Sequence, residues 1–166
     1  MTLEEGKEEF IQAWGTLGTN WGINKTMGQV HGLLLIAVDP MCADNIMETL
    51  KISRGNANMN IRALIDWGIV YKKHIMGERK EYFVAEKDMW KVFRSIAQQR
   101  RKKELEPLME VLNRVKEVEV ECDTSQEFKK VTQDIQSFAV KAEKTLDGLT
   151  QSEKKWFFST FMNIIK

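Results

Sequence analysis

A chain of 166 residues with 43% hydrophobic residues can enclose one core, and its two Pro and ten Gly argue against long disordered linkers. The longest apolar run, Leu33 to Val38, is too short to cross a bilayer, and the acidic start lacks the order of a signal peptide, so a cytoplasmic protein is expected. The net charge of +1 conceals a basic middle: residues 20–103 hold 15 Lys and Arg against 8 Asp and Glu, whereas 1–19 hold 1 against 4 and 104–166 hold 9 against 12. A basic module suits phosphate binding, although many surface faces are basic by accident.

Thr2-Leu-Glu-Glu5 fits a capping box that opens a first helix, with Phe10, Ile11, Trp14 and Leu17 as its apolar stripe. Gly15 and Gly18 are expected to weaken its end. A second helix is predicted from near Asn24 to Ala37, apolar almost all round from Val30 and therefore central. Asp39-Pro40 stops it. His31 sits on this helix without Cys, Asp or His at metal-ligand spacing, so it reads as a core or surface histidine and not as a ligand.

Cys42 to Leu50 reads as a short helix with Ala43, Ile46, Met47 and Leu50 facing inward, and Lys51-Ile52-Ser53 as a turn. The next helix starts at Ser53, a good N-cap, and ends at Gly68, a good stop. Ala57, Ile61, Leu64 and Ile65 share its core face. Arg54, Asn58 and Arg62 lie one turn apart on another face, flanked by Asn56 and Asn60. Asn is a poor interior helix residue, so three of them in one helix point to other work. Asn pairs bidentately with adenine and Arg with guanine. The plain alternative is a solvated helix face.

Ile69 to Ile75 is β-branched and partly alternating, Met76-Gly-Glu-Arg79 is a turn, and Lys80 to Val84 a return strand. Lys72, Arg79 and Lys80 make this hairpin cationic, as in a wing whose Arg79 enters a minor groove. A solvated hairpin tip is the other reading.

A long helix is predicted from residue 86 to about 121. Trp90, Phe93, Ile96 and Ala97 form its first stripe, and Pro107 should kink or break it. Its Arg100-Arg-Lys-Lys103 cluster suits phosphate or solvent equally. Thr124-Ser-Gln-Glu127 reads as a capping box for a helix carrying Phe128, Val131, Ile135, Phe138 and Ala142 and ending at Gly148. Thr150-Gln-Ser-Glu153 reads as a third box, opening an apolar terminal helix that needs a cover.

The order helix, turn, helix, hairpin is that of a winged helix-turn-helix. The expected fold is mainly α with a small β-hairpin: a DNA-binding domain over 21–98, an N-terminal dimerisation helix over 1–20 and a C-terminal helical dimerisation region over 99–166. Cys42 and Cys122 are far apart and suggest neither zinc nor a disulfide framework. Without a phosphate-binding glycine loop, a nucleophile elbow or metal spacing, neither an enzyme nor a cofactor is expected.

Several motifs resemble the GbsR branch of the MarR-like transcriptional regulators: Trp21-Gly-Ile-Asn-Lys-Thr-Met-Gly28, Ile52-Ser-Arg-Gly-Asn56, Met59-Asn60, Asp66-Trp-Gly68, Gly77-Glu-Arg-Lys80 and Asp88-Met-Trp-Lys-Val-Phe-Arg94. The resemblance covers roughly residues 10–115. It implies a dimeric winged-helix regulator, usually a repressor, that reads a palindromic operator in double-stranded DNA. It carries the reading-helix motif onto Ser53, Arg54, Asn56, Asn58, Asn60 and Arg62, and the wing motif onto Arg79 and Lys80. Some members answer to choline or glycine betaine. Such a cation needs an aromatic cage, for which Trp14, Trp21, Trp67, Trp90 and Trp156 are candidates, although aromatics at helical spacing are more often core. Cys42 has no Lys, Arg or His beside it and reads as a buried apolar residue. The alternative function is a winged-helix module that assembles with another protein.

Overall fold

The computed structural model describes residues 1–20 and 22–151. They divide into two units, Met1–Ser95 and residues from Ile96 onward.

In the first unit α1 (Leu3–Asn20) opens on the expected capping box. The Thr2 backbone N–H donates to Glu5 Oε2 at 2.6 Å, and the Glu5 N–H to Thr2 Oγ1 at 3.2 Å. Gly15 and Gly18 do not end the helix; they let α2 (Lys25–Ile36) approach it. A Cβ on Gly28 of α2 would stand 2.9 Å from Gly15 Cα, and one on Gly32 3.0 Å from the Trp14 ring. Asn24 caps α2 by accepting the Met27 N–H at 2.8 Å. At the other end Lys87 Nζ donates to the carbonyls of Leu34, Leu35 and Ala37, satisfying groups that the last turn leaves open.

Pro40 leads into β1 (Met41–Cys42), then α3 (Ala43–Leu50), α4 (Arg54–Asp66), β2 (Val70–Lys73), β3 (Tyr82–Ala85) and the start of α5 (Met89–Arg100). The antiparallel sheet has the order β1-β3-β2, with Met41 opposite Phe83 and Val70 opposite Ala85. The two-residue β1 was not foreseen, because Met-Cys has no alternation to read. The core gathers Val30 and Leu34 of α2, Ile46 of α3, Ala57, Ile61 and Leu64 of α4, Val70 and Phe83 of the sheet, and Val92 of α5.

In the second unit α5 passes into a π-helical turn, Arg101–Leu105, and then α6 (Glu106–Val115). Pro107 has no N–H to offer the carbonyl four residues back, and the wide turn stands just before it. The helix ends near residue 115, short of the expected 121. In α7 (Asp123–Gln151) the cap also differs from expectation. Ser125 Oγ accepts the backbone N–H groups of Glu121 and Cys122, so Cys122 holds the cap position and Thr124 lies inside the helix. The helix also runs through Gly148 and Thr150, where a stop and a new start were expected. The apolar helix expected beyond residue 152 lies outside the described residues. Leu112 and Ala139 are buried where α6 and α7 pack, whereas Phe128, Val131, Ile135 and Phe138 stay exposed. Among the described residues no helix is long and apolar enough to cross a membrane.

Candidate nucleic-acid interface

α3 and α4 meet through Lys51, whose left-handed backbone (φ 53°) reverses the chain, followed by Ile52 and Ser53. Ser53 Oγ accepts the Asn56 N–H at 3.3 Å, which fixes the start of α4. At the far end Gly68 (φ +69°) turns the chain into β2. Ala57, Ile61 and Leu64 are buried on the inner face of α4, while Ile65 is half-buried. Arg54 and Arg62 are exposed and Asn58 is half-buried, as is Asn56. Met59, quoted in the resemblance motif but not among the candidate reading residues, is 60% exposed on the same helix.

Asn60 departs from the expectation. It is 1% exposed, its Nδ2 donates to the Asn56 carbonyl (2.8 Å) and to Asn56 Oδ1 (2.6 Å), and its Oδ1 accepts from Asn24 Nδ2 at 3.0 Å. A side chain so enclosed has nothing to offer a base edge; it ties α4 to the start of α2. The signal was in the spacing, since Asn60 stands three residues after Ala57 and four before Leu64 on the core face.

The wing is exposed throughout Tyr71–Glu81. Lys72 pairs across it with Glu81, whose carboxyl that ammonium holds below its ordinary range. Arg79 lies in the exposed tip next to the turn at Gly77 (φ +85°). Among the described residues neither Arg62 nor Arg79 makes a salt bridge.

The other two site cations share one carboxylate. Asp44, in the first turn of α3, accepts from Arg54 Nη2 at 3.0 Å through Oδ1 and from Lys80 Nζ at 2.9 Å through Oδ2. The Lys80 hydrogen bond and charge, with Arg54 behind them, hold the Asp44 carboxyl below its usual range, and Lys80 is raised in turn. Sequence reasoning missed Asp44 because its partners lie ten and 36 residues away. Of the Arg100–Lys103 cluster, Arg100 pairs with Glu104, and Arg101 with Glu143 and Asp147.

Elsewhere in the first unit Cys42 is buried as expected, its thiol 2.9 Å from Asn45 Oδ1. Trp14 stacks on Phe10 and donates its indole N–H to His31 Nδ1 at 3.1 Å. Trp90 stacks on Phe93. Trp21 and Trp156 lie outside the described residues.

A short helix, a left-handed turn, an exposed second helix and a cationic hairpin, laid on a common core, make this a winged helix-turn-helix fold. It matches a solved structure described as a transcriptional regulator, at a TM-score of 0.67 and 19% identity over 87% of this chain and 95% of that one. In sequence the chain is similar to three Bacillus subtilis proteins. It is 30% identical over 91 residues to the HTH-type transcriptional repressor GbsR, covering 55% of this chain and 50% of that protein. It is 26% identical over 94 residues to the repressor OpcR (57% and 51%), and 24% identical over 91 residues to the putative regulator YvaV (55% and 51%). The chain thus spans about half the length of the curated relatives it matches. No protein-family model matches it. The GbsR-like resemblance carried by the motifs is therefore met by similarity to GbsR and to two further proteins named as HTH-type regulators.

Proposed function

We propose that the protein is a sequence-specific DNA-binding regulator of transcription, acting as a repressor and as a homodimer on a palindromic operator. The observation that carries this reading is the exposed start of α4. There Ser53, Arg54, Asn56, Asn58 and Arg62 stand at or near the surface beside the cationic wing with Lys72, Arg79 and Lys80. A helix of this kind enters a major groove by its N-terminal residues, and a wing reaches the neighbouring minor groove. The basic surplus in residues 20–103 supplies the phosphate contacts. Asn60 is not among the reading residues, because its amide is spent inside the fold.

Dimerisation is assigned to α1 and the C-terminal region. The exposed stripe Phe128, Val131, Ile135 and Phe138 on α7 favours it, since apolar residues at three- and four-residue steps suit a helical partner. Two copies then present two reading helices about 34 Å apart. A small effector, a quaternary amine among the candidates, would act by favouring a dimer geometry off that spacing. The groove between α1 and the ends of α2 and α3, about 860 Å³, has apolar walls at Ile11, Leu33 and Ile36, but Lys7 and Lys51 stand beside its Glu4, Glu8 and Asp39. Among the described residues no aromatic side chain lines it, so it does not supply the cage such a cation needs.

The test is selection of bound fragments from random and genomic DNA, followed by a salt titration with and without quaternary amines. The expected result is an inverted-repeat site whose affinity falls steeply with salt. Enrichment of no sequence, or affinity indifferent to salt, would leave the Arg/Asn face to a protein partner.

A further inference from the structure

Asp44 stands between the two parts of the candidate interface. It belongs to α3, yet its two oxygens hold Arg54 at the start of α4 and Lys80 at the entry to β3. The side chains of Arg54 and Lys80 are 72% and 58% exposed, the carboxylate 39%. A polyanion therefore reaches both cations from outside, while Asp44 holds them from within. Asn58 lines the same shallow concavity of about 180 Å³ as Asp44 and Lys80. Two anionic oxygens, each taking one cation from a separate element, are what a backbone phosphate would offer these side chains.

We propose that Asp44 is an internal competitor for phosphate, which restrains Arg54 and Lys80 on arbitrary DNA and so sets the protein's sequence discrimination. This rests on the DNA-binding reading above. On a random duplex the attraction comes from phosphate contacts alone. Each contact made by Arg54 or Lys80 must first break a pair with Asp44. Exposed pairs are weak, so the restraint is modest and a duplex can override it. At an operator Arg54 meets a base edge. There the hold of Asp44 orients the planar guanidinium, and part of what it withholds is returned as alignment. Asp44 is thus a positioning residue that costs more on the wrong sequence than on the right one.

The test compares the wild type with Asp44→Asn, which keeps the shape, and with Asp44→Ser, which keeps a residue favoured at a helix start. Binding to a random-sequence duplex and to an operator duplex selected with the wild type is measured across a sodium chloride series. Thermal melts confirm folding. On the random duplex both variants should bind about three- to tenfold tighter, and the slope of log K against log salt should steepen by about one to two, one step for each phosphate gained. Operator affinity should rise less than the affinity for random DNA, so the ratio of the two falls. A merely structural role for Asp44 would not move the slope. If folded variants match the wild type on random DNA in affinity and slope, or if both duplexes gain equally, the inference is overturned. A wild type that binds no duplex at low salt would sink the DNA-binding reading and this inference with it. A wild type with steep salt dependence that the variants reproduce sinks the Asp44 inference alone.

Discussion

His31 is 3% exposed on α2 and takes the Trp14 indole N–H on Nδ1, so its proton resides on Nε2 and the ring is neutral. Burial, with the charge of Lys87 behind it, pushes its pKa down from 6.5 to about 4. In the unfolded chain the ring regains an ordinary value. Between about pH 6.5 and 4 the unfolded state therefore binds the extra proton, and the stability due to this residue is present above that window and lost as pH falls through it. A drop from pH 7 to 5 should cost about 2 kcal/mol through this group. Urea titrations at the two pH values check it. His31→Gln, which keeps an acceptor for Trp14, should lose markedly less over the same interval; equal losses would assign the effect to other groups. His31 illustrates the bland reading of a lone histidine, while Asn60 shows a polar residue that looked like a reader and is a clamp.

Among the elements, the crossing of α1 and α2 is set by glycines rather than by large side chains. Gly28→Ala would put its Cβ 2.9 Å from Gly15 Cα and 3.2 Å from the Trp14 carbonyl, both backbone atoms that cannot rotate away. The helices must part, at about 1–3 kcal/mol, against a gain in helix propensity of about 1 kcal/mol. A lower melting temperature is expected; an unchanged or raised one would contradict the packing account. The same glycines mark a limit of sequence reasoning. Gly15 and Gly18 read as weakness because propensity is local, whereas their role depends on residues some ten positions away. By contrast α3, the turn at Lys51-Ile52-Ser53 and α4 were legible to within two residues, since caps and an apolar stripe specify them locally. The hairpin was legible in kind, from its β-branched run and glycine turn. β1 and the π-turn before Pro107 were not: the first rests on a partner strand about 40 residues on, the second on how a helix absorbs a missing donor. In the candidate site Arg54, Asn58 and Arg62 were placed on an accessible face by periodicity, but no periodicity connects Asp44 to Lys80.

At the scale of the whole molecule, charge is sorted along the chain, with the acidic ends flanking a basic middle that contains α4 and the wing. Such sorting speeds encounter with a polyanion and leaves sequence choice to a few side chains. The central claim is that those side chains stand at the start of α4. The most direct measurement is the affinity of Arg54→Ala and Asn58→Ala for the selected operator and for a random duplex, at one fixed salt concentration. Each substitution should weaken operator binding by about 1–3 kcal/mol and disturb random-duplex binding much less. Undiminished operator affinity in both variants would mean that DNA is read elsewhere on the molecule or not at all.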